Sequence, residues 1–217
     1  MALFVTIEGP EGSGKTTIGK KIVEKLIASG YEVIYTREPG GIEIAEQIRN
    51  VILDVKNTNM DPRTEALLYA ASRRQHLIEK IVPALKDNKI IICDRFVDSS
   101  LAYQGHARKL GIDNVYEINK FAIDTLMPDL TLLFDIDPKL GLERINANKL
   151  REVNRLDLEQ LEFHTLVREG FLKIQSREPN RIKIVDASKS IEEVFNAAYQ
   201  LIEEAIRKFH ENQRCIN

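Results

Sequence analysis

Residues 9–16 read Gly-Pro-Glu-Gly-Ser-Gly-Lys-Thr and match the pattern G-x-x-x-x-G-K-[ST]. An apolar, β-rich run at 3–7 precedes this motif, and a helical pattern with an isoleucine or leucine every four residues follows it. Glycines in such a loop let backbone N–H groups converge on phosphate oxygens, and the N-terminus of the following helix adds a favourable dipole. Strand, loop and helix together predict a site for the phosphates of a nucleoside triphosphate.

Two side chains of the motif have separate predicted tasks. Lys15 is expected to reach the β- and γ-phosphates, and the hydroxyl of Thr16 is expected to hold Mg²⁺. The residues predicted to bind ATP are Pro10, Glu11, Gly12, Ser13, Gly14, Lys15, Thr16 and Thr17.

The motif alone leaves GTPase switches, ATPases, helicases and small-molecule kinases open. A GTPase should also carry an N-K-x-D sequence after a later strand, and none occurs in the chain. At 217 residues the chain is short for a motor ATPase. A small kinase is therefore the leading class.

Composition limits the compartment and the partners. Hydrophobic residues make up 43% of the chain, and the net charge is −2, so we expect a substantial core and no overall basic surface for nucleic acid. No apolar stretch approaches the roughly 20 residues of a membrane span, and the apolar start at 1–5 is too short for a signal peptide. Cys93, in an apolar run, and Cys215, in a polar tail, suggest neither a disulfide nor a zinc site. We therefore expect a cytoplasmic protein without a membrane partner.

Short apolar strands alternate with amphipathic helices, which predicts an α/β fold with a parallel sheet covered on both faces. Three consecutive isoleucines at 90–92 fit a strand that is buried on both sides. Strands are predicted at 3–7, 31–36, 89–93, 130–136 and 182–185, and helices at 16–28, 44–52, 63–85, 141–148, 154–176 and 191–209. No linker divides the chain, so 1–217 is interpreted as a single kinase domain with a polar, basic flap at about 146–154.

Kinase chemistry brings two phosphorylated ligands together, so an acceptor with its own phosphate needs a second cationic site. Arg37 follows the second predicted strand, where ligands of open parallel sheets bind. Arg49 lies on the next helix, where it could also be a solvated charge. Asp94 and Arg95 directly follow the buried strand at 89–93. An acid there can hold Mg²⁺ through water, while Arg95 could bridge donor and acceptor phosphates, or the two could form a structural ion pair.

The predicted helix 63–85 has two unlike faces. Its apolar arc consists of Leu67, Ala71, Ile78, Ile81 and Leu85. Tyr69, Arg73 and His76 fall roughly opposite this arc. Tyr69 and Arg73 could stack on a base and hold a phosphate, or form an exposed pair four residues apart. His76 is interpreted as a surface or capping residue, and Arg74, inside the arc, either pairs with a carboxylate or meets another subunit.

With these motifs in place, the chain resembles the thymidylate kinase family. The matching segments come in the family's order and spacing: GPEGSGKTT (9–17), TREPGG (36–41), TEALLYAASRRQH (64–76), CDRFVDSSLAYQG (93–105), MPDLTLLFDI (127–136) and NRLD (154–157). They extend the resemblance over about residues 3–205. It implies phosphoryl transfer from ATP to dTMP with Mg²⁺, and a homodimer that uses the long helix 63–85. It also implies a P-loop NTPase fold, a three-layer α/β/α sandwich around a five-stranded parallel sheet.

The resemblance also implies a dTMP pocket. Its residues would be Glu38, Arg49, Tyr69, Arg73, Arg95, Ser99, Tyr103 and Gln104. Arg73 and Gln104 would hold the thymine edge, Tyr69 would stack on the base, and Tyr103 would crowd the 2′ position of the sugar.

The phosphate end of the implied site is cationic. Arg49 and Arg95 would take the phosphate of dTMP. The implied catalytic residues are Lys15, Asp94, Arg95 and Arg151, and the implied metal-binding residues are Thr16 and Asp94, the latter through water.

Gly12 indicates a subtype. One branch of the family has an arginine in the phosphate loop at this place. This chain instead has Lys149, Arg151 and Arg155 at the flap, which resembles the bacterial pattern, in which Arg151 would close over ATP. One departure from the family pattern is Phe96. The family often has tyrosine or histidine at this place, so it stays open whether a hydrogen bond forms there.

Two other interpretations stay open at this point. The chain could be another P-loop kinase that acts on dCMP, UMP or a deoxynucleoside. It could also be a non-enzymatic P-loop switch, which would bind a nucleotide and transfer nothing.

Overall fold

The structure, a computed structural model, describes residues 1–147 and 154–214, with 212–214 described by their backbone alone. The strands in this part of the chain are β1 (Leu3–Glu8), β2 (Val33–Arg37), β3 (Ile90–Asp94), β4 (Leu130–Asp135) and β5 (Ile182–Asp186). They form one parallel sheet in the order β2-β3-β1-β4-β5. The predicted five-stranded parallel sheet is confirmed.

Helices fill the connections between the strands, and one more helix follows the last strand. They are α1 (Lys15–Ala28), α2 (Glu43–Leu53), α3 (Pro62–His76), α4 (Val82–Lys86), α5 (Val97–Ser100), α6 (Ile112–Ile123), α7 (Pro138–Ala147), α8 (Leu161–Arg177) and α9 (Ile191–Arg214). A π-helical segment, Leu77–Ile81, joins α3 to α4, so the predicted long helix is one helical run with a wider turn. A second π-helical segment, Leu101–Ala107, continues α5. Neither α5 nor α6 was predicted from the sequence.

Side chains alternate across the sheet and build a core on each face. Phe4 and Ile91 pack with the helices on one side, which include α6 and α8. Val5 and Ile92 pack with α1 and α9 on the other side. The three-layer arrangement is therefore confirmed. Cys93 is buried in the first core, as its apolar run predicts.

The prediction for Asn154 is partly wrong. Asn154 caps a short 3₁₀ turn, Arg155–Leu158, rather than a long α-helix. Its side chain accepts from the N–H of Leu156, and Asp157 accepts from the N–H of Asn154 in return, but the chain becomes extended at Glu159. The α-helix begins only at the start of α8. Phe163, Val167, Phe171 and Ile174, which helical spacing places on one face of α8, are buried.

The long helix turns much of its predicted polar side toward the protein, and of the predicted apolar arc only Ile81 is fully buried. Leu67 and Ile78 are 57% and 48% exposed, whereas Arg73 is 1% exposed and His76 is fully buried. The interpretation of His76 as a surface or capping residue is therefore wrong. Arg74 pairs with the carboxylate of Asp124 at 2.7 Å, which is the first of its two predicted alternatives. Glu65, Arg73 and His76 can occupy the inner side because each has hydrogen-bond partners, as described below, whereas the buried hydroxyl of Ser72 has none among the described residues.

Among the described residues, no helix combines the length and apolar character needed to cross a membrane.

Candidate active site

A cleft of about 470 Å³ opens where the carboxyl ends of β1, β2 and β3 meet the phosphate loop. Open parallel sheets bind ligands at this edge, beside the point where strand order reverses. The residues that line it include Glu11, Gly12, Gly14, Lys15, Thr16, Thr17, Arg37, Glu38, Arg49, Tyr69, Asp94, Arg95, Ser99, Tyr103 and Gln104. Most of the residues singled out from the sequence therefore share one cavity. Pro10, Ser13 and Arg73 do not line it.

The phosphate loop needs glycine at Gly12. Its φ of +74° lies in the left-handed region, which side chains disfavour. A Cβ atom there would lie 2.1 Å from the carbonyl oxygen of Gly141 in α7. No side chain fits at this position unless α7 moves, so a catalytic arginine cannot come from the loop in this arrangement.

Lys15 lies folded against its own loop. Its Nζ donates to the carbonyl oxygens of Gly9 at 3.0 Å and Pro10 at 2.8 Å, and to Oγ of Ser13 at 3.2 Å. Burial, followed by the positive charge of Arg95, lowers the pKa of Lys15 to about 8. A phosphate that displaces the carbonyl oxygens would restore a strong charge partner to this amine.

Thr16 and Asp94 meet at the end of β3. Oγ1 of Thr16 donates to Oδ2 of Asp94 at 2.6 Å, and the hydroxyl of Tyr35 donates to the same oxygen at 3.2 Å. The parallel register that pairs Ile7 with Asp94 holds this carboxylate beside the phosphate loop. Hydroxyl and carboxylate oxygens are suitable donors for Mg²⁺. Tyr35 was not singled out from the sequence, and only its position near the end of a strand could have suggested it.

Arg95 connects the phosphate loop with the acceptor side. Nη1 donates to the carbonyl of Gly9 at 3.1 Å and to Oγ of Ser99 at 3.0 Å. Nη2 donates to Glu11 at 2.8 Å and to the hydroxyl of Tyr103 at 3.1 Å. Its backbone has a φ of +70°, a strained value for a residue with a side chain, and such strain concentrates at functional sites.

Sequence reasoning missed Glu8, the last residue of β1. One carboxylate oxygen accepts from the backbone N–H of Phe96 at 2.6 Å, and the other accepts from Oγ of Ser99 at 2.5 Å. Burial, followed by the nearby charge of Asp98, raises the pKa of Glu8 to about 8. Glu8 thus holds the strained turn that carries Arg95. A charged residue that ends an apolar strand was the only signal for it.

Glu38 organises a buried polar group at the end of β2. Its carboxylate accepts from Nε of Arg73 at 2.8 Å and pairs with Nδ1 of His76 at 2.9 Å, while Nε2 of His76 bonds Oγ1 of Thr36 at 2.7 Å. His76 therefore orients Glu38, which lines the cleft. His76 is held between a carboxylate oxygen of Glu38 and the hydroxyl of Thr36. This position could not be predicted from the helical pattern of the sequence.

Arg73 is used mainly by the protein itself. Besides Glu38, its guanidinium donates to Oγ of Ser100 at 3.1 Å, to Asn119 and to the carbonyl of Phe96 at 2.9 Å. Four of its five N–H groups thus have acceptors within the described chain. The ring of Phe96 packs 5.2 Å from the guanidinium and is fully buried. An apolar ring at this position is consistent with its surroundings, since only its backbone forms hydrogen bonds here.

The remaining acceptor-side arginines differ in their use. Arg37 is paired with Glu46 at 2.8 Å and donates to the carbonyl of Pro39, so it braces the loop after β2. Arg49 donates to the same carbonyl at 3.1 Å and lines the cleft.

The flap lies largely outside this description. Lys149 and Arg151 fall within 148–153, outside the described residues. Arg155 is described and does not line the cleft, contrary to its assignment as a flap cation. It is buried, donates from Nε to the carbonyl of Ile52 at 2.9 Å, and pairs with Glu65.

Comparison with known proteins gives consistent findings. Residues 7–198 match the family model described as thymidylate kinase. The chain is similar to the thymidylate kinase of Bacillus licheniformis, with 58% identity over 95% of this chain and 97% of the relative. It is similar to that of Anoxybacillus flavithermus, with 61% identity over 95% of this chain and 99% of the relative. A crystal structure of thymidylate kinase from Ehrlichia chaffeensis superposes with a TM-score of 0.76 at 32% identity, covering 93% of this chain and 98% of that one.

Proposed function

Because this chain belongs to the thymidylate kinase family, we propose that its cleft transfers the γ-phosphoryl group of ATP to dTMP. The products are ADP and dTDP, the precursor of dTTP. The enzyme is thus an ATP:dTMP phosphotransferase. No observation favours another acceptor or a non-enzymatic switch.

The position of Arg95 is the observation that carries this function into the cleft. Its guanidinium reaches Gly9 and Glu11 in the phosphate loop as well as Ser99 and Tyr103 on the acceptor side. A cation between two anionic substrates lowers their mutual repulsion and stabilises the charge that spreads over the transferred group. A site for one nucleotide alone would not need such a bridge.

Positioning and charge perform most of the proposed catalysis. The attacking oxygen belongs to the phosphate of dTMP, whose second pKa is near 6, so it is already largely anionic at neutral pH. No strong general base is needed. Lys15 would hold the β- and γ-phosphates, Arg95 would bridge donor and acceptor, and Arg151 would supply the flap's cation and help to exclude water.

The dTMP side of the proposal keeps the predicted roles. Tyr69 and Gln104 line the cleft where the base would lie, and Tyr103 and Ser99 stand beside Arg95 where sugar and phosphate would lie. Glu38 shares this pocket, and Arg49 would bind the phosphate from α2. Arg73 would offer the base its remaining N–H group, because the other four are already used.

Mg²⁺ fits the oxygen pair of Thr16 and Asp94, and we include it in the proposal. The described residues contain no cluster of three His, Cys, Asp or Glu side chains that could hold a metal alone. Phosphate oxygens and water would therefore complete the coordination, as is usual for this ion in kinases. When bound, Mg²⁺ neutralises charge on the phosphate oxygens of ATP.

We also propose that the chain forms a homodimer through the long helix. Leu67 and Ile78 expose the apolar arc of α3 and of the segment after it, and Phe121 on α6 is 91% exposed. Arg74 donates to the carbonyl of Ala122 at 3.2 Å, which holds α6, the helix that carries Phe121, beside α3. Exposed apolar side chains on adjacent helices are typical of a protein interface.

A cytoplasmic location and a single kinase domain over 1–217 complete the proposal, and the free thiol of Cys93 is consistent with a reducing compartment.

A turnover panel tests the function. The chain is incubated with ATP and Mg²⁺ and, in turn, dTMP, dUMP, dCMP, UMP and thymidine, and formation of ADP is followed. We expect dTMP to have the highest kcat/KM. A higher value for any other acceptor would overturn the substrate assignment, and no ADP above the rate without acceptor would indicate a switch.

A further inference from the structure

Glu65 holds the amide of Gln104 in one orientation. Gln104 lines the cleft from the π-helical segment after α5, and its Nε2 donates to Oε1 of Glu65 at 2.8 Å. With the amide nitrogen turned toward Glu65, the amide oxygen of Gln104 is the atom left for the base.

The partners of Glu65 determine this orientation. Glu65 is 1% exposed, and its second oxygen, Oε2, accepts from Nη2 of Arg155. Arg108 approaches Oε1 with its Nε at 3.5 Å. A carboxylate between two arginines offers only acceptors, so a neighbouring amide must turn its NH₂ group toward it. The orientation of Gln104 thus follows from the chemistry of Glu65.

The free oxygen has a consequence for the choice of base. Thymine and uracil carry a hydrogen on ring atom N3, which can donate to an amide oxygen. Cytosine has a lone pair at N3, which would face that oxygen without a hydrogen bond. Sites that leave a buried polar group unpaired reject the wrong ligand strongly.

We propose that Glu65 is a positioning residue for base selection, which directs the Gln104 oxygen at the N3–H of the base and so excludes cytosine nucleotides. The inference rests on the proposed function, since it requires dTMP to lie with its base against Gln104. Glu65 does not line the cleft and would act on the base only through Gln104. Its place in the first turn of α3 would suit an ordinary helix-capping acid, but such a residue would be solvated and would not be paired with the buried Arg155 and the partly buried Arg108.

Replacement of Glu65 by glutamine makes a sharp test. In Glu65→Gln the single oxygen goes to Arg155, whose hydrogen bond to Glu65 is shorter than that of Arg108, so the new NH₂ group faces Gln104. Gln104 then turns its oxygen to residue 65 and its NH₂ to the base, where it matches N3 of cytosine. We expect the ratio of kcat/KM for dTMP to that for dCMP to fall at least about tenfold.

Glu159→Gln is the matched control. Glu159 binds Arg108 at 2.5 Å, as part of the same charged group, yet has no hydrogen bond to Gln104 in the described structure. In this variant the ratio of kcat/KM for dTMP to that for dCMP should stay within about twofold of the value for the unmodified chain. The loss of a partly exposed ion pair changes free energies little. An equal fall in both variants would overturn the proposal.

A double exchange provides the rescue. In Glu65→Gln with Gln104→Glu, the NH₂ of residue 65 donates to the new carboxylate, whose second oxygen accepts N3–H. The net charge of the group is unchanged, so this variant should fold even if Glu65→Gln does not. A preference for dTMP over dCMP close to that of the unmodified chain supports the proposal, and an equal use of both substrates overturns it.

Measurements on the unmodified chain distinguish a failure of the proposed function from a failure of the role of Glu65. If it does not prefer dTMP to dCMP, the proposed function fails. If it does, but Glu65→Gln keeps the ratio, only the role of Glu65 fails. Methylation of N3 in dTMP removes the donor, so N3-methyl-dTMP should lose at least about 100-fold in kcat/KM. Turnover of this analogue at the rate of dTMP would overturn the orientation of Gln104 irrespective of the variants.

Discussion

At the scale of single residues, Glu8 positions the turn that carries Arg95, but its burial lowers the stability of the folded chain as pH rises. It holds Phe96 and Ser99, and through them the turn of Arg95. Burial raises its pKa from 4.5 to about 8, so the folded chain keeps a proton that the unfolded chain releases above pH 4.5. Between these values the folded state binds more protons, and the free energy of unfolding falls as pH rises.

We therefore expect Glu8→Gln to flatten this pH dependence. The unmodified chain should lose up to about 1.4 kcal/mol of unfolding free energy per pH unit from this group between pH 5 and 8, and the variant should not. Urea unfolding at pH 5.5 and 7.5 measures the difference. Glu24→Gln, at an exposed position, is the control and should behave as the unmodified chain. Equal slopes for all three proteins would refute the raised pKa.

At the scale of elements, α3 shows how packing can invert a helix pattern. Its small and polar side chains face the protein, where Glu38 and Glu65 supply partners for Arg73, Gln104 and Arg155. Leu67 and, in the π-helical segment after α3, Ile78 remain exposed, whereas Ile81 is buried. Exposed apolar side chains on this helical run are consistent with the proposed contact between two copies.

We expect Leu67→Glu combined with Ile78→Glu to convert a dimer into a monomer. Four buried carboxylates at a symmetric contact, two from each copy, would oppose association, because charges are costly in an apolar interface. Light scattering coupled to size-exclusion chromatography measures the mass. Ile191→Glu, at a residue that is 58% exposed on α9, should leave the mass of the dimer unchanged. A monomeric unmodified chain, or a double variant that remains dimeric, would contradict the assignment.

At the scale of the whole molecule, the cleft joins parts of the chain that are distant in sequence. The phosphate loop, the end of β2, the turn after β3 and the segment after α5 all contribute to it. A ligand that contacts several of these parts binds only the folded state, so it should stabilise the entire protein.

We accordingly expect dTMP to raise the melting temperature. At about one hundred times its Kd, the stabilisation is about 2.7 kcal/mol. For a chain of this size that corresponds to a shift of roughly 5–10 °C. Differential scanning fluorimetry measures it, with dCMP at the same concentration as the comparison. If dCMP produced the same shift, the base would not be recognised in the cleft.

Much of the fold was predictable because its signals are local. Each of these signals depends on neighbours within one element. They are the glycine loop, the spacing of apolar residues in strands and in helices, and the run Ile90–Asp94. The same locality brought Asp94 and Arg95 to the cleft, since parallel strands end at one edge. The prediction failed at Asn154, whose capping box with Asp157 begins only a short 3₁₀ turn. For α5 and α6 the sequence led to no prediction.

By itself, the sequence determined the phosphate loop, the parallel α/β order and the residues that could serve a two-nucleotide site. Only the tertiary structure decided which side of α3 faces inward, that Gly141 excludes a side chain at Gly12, and that Glu8 and Glu65 are buried. The physical reason is the range of the interactions. A backbone preference belongs to a few consecutive residues, whereas the partner of Glu65 is Arg155, ninety positions along the chain, and folding alone brings the two charges together.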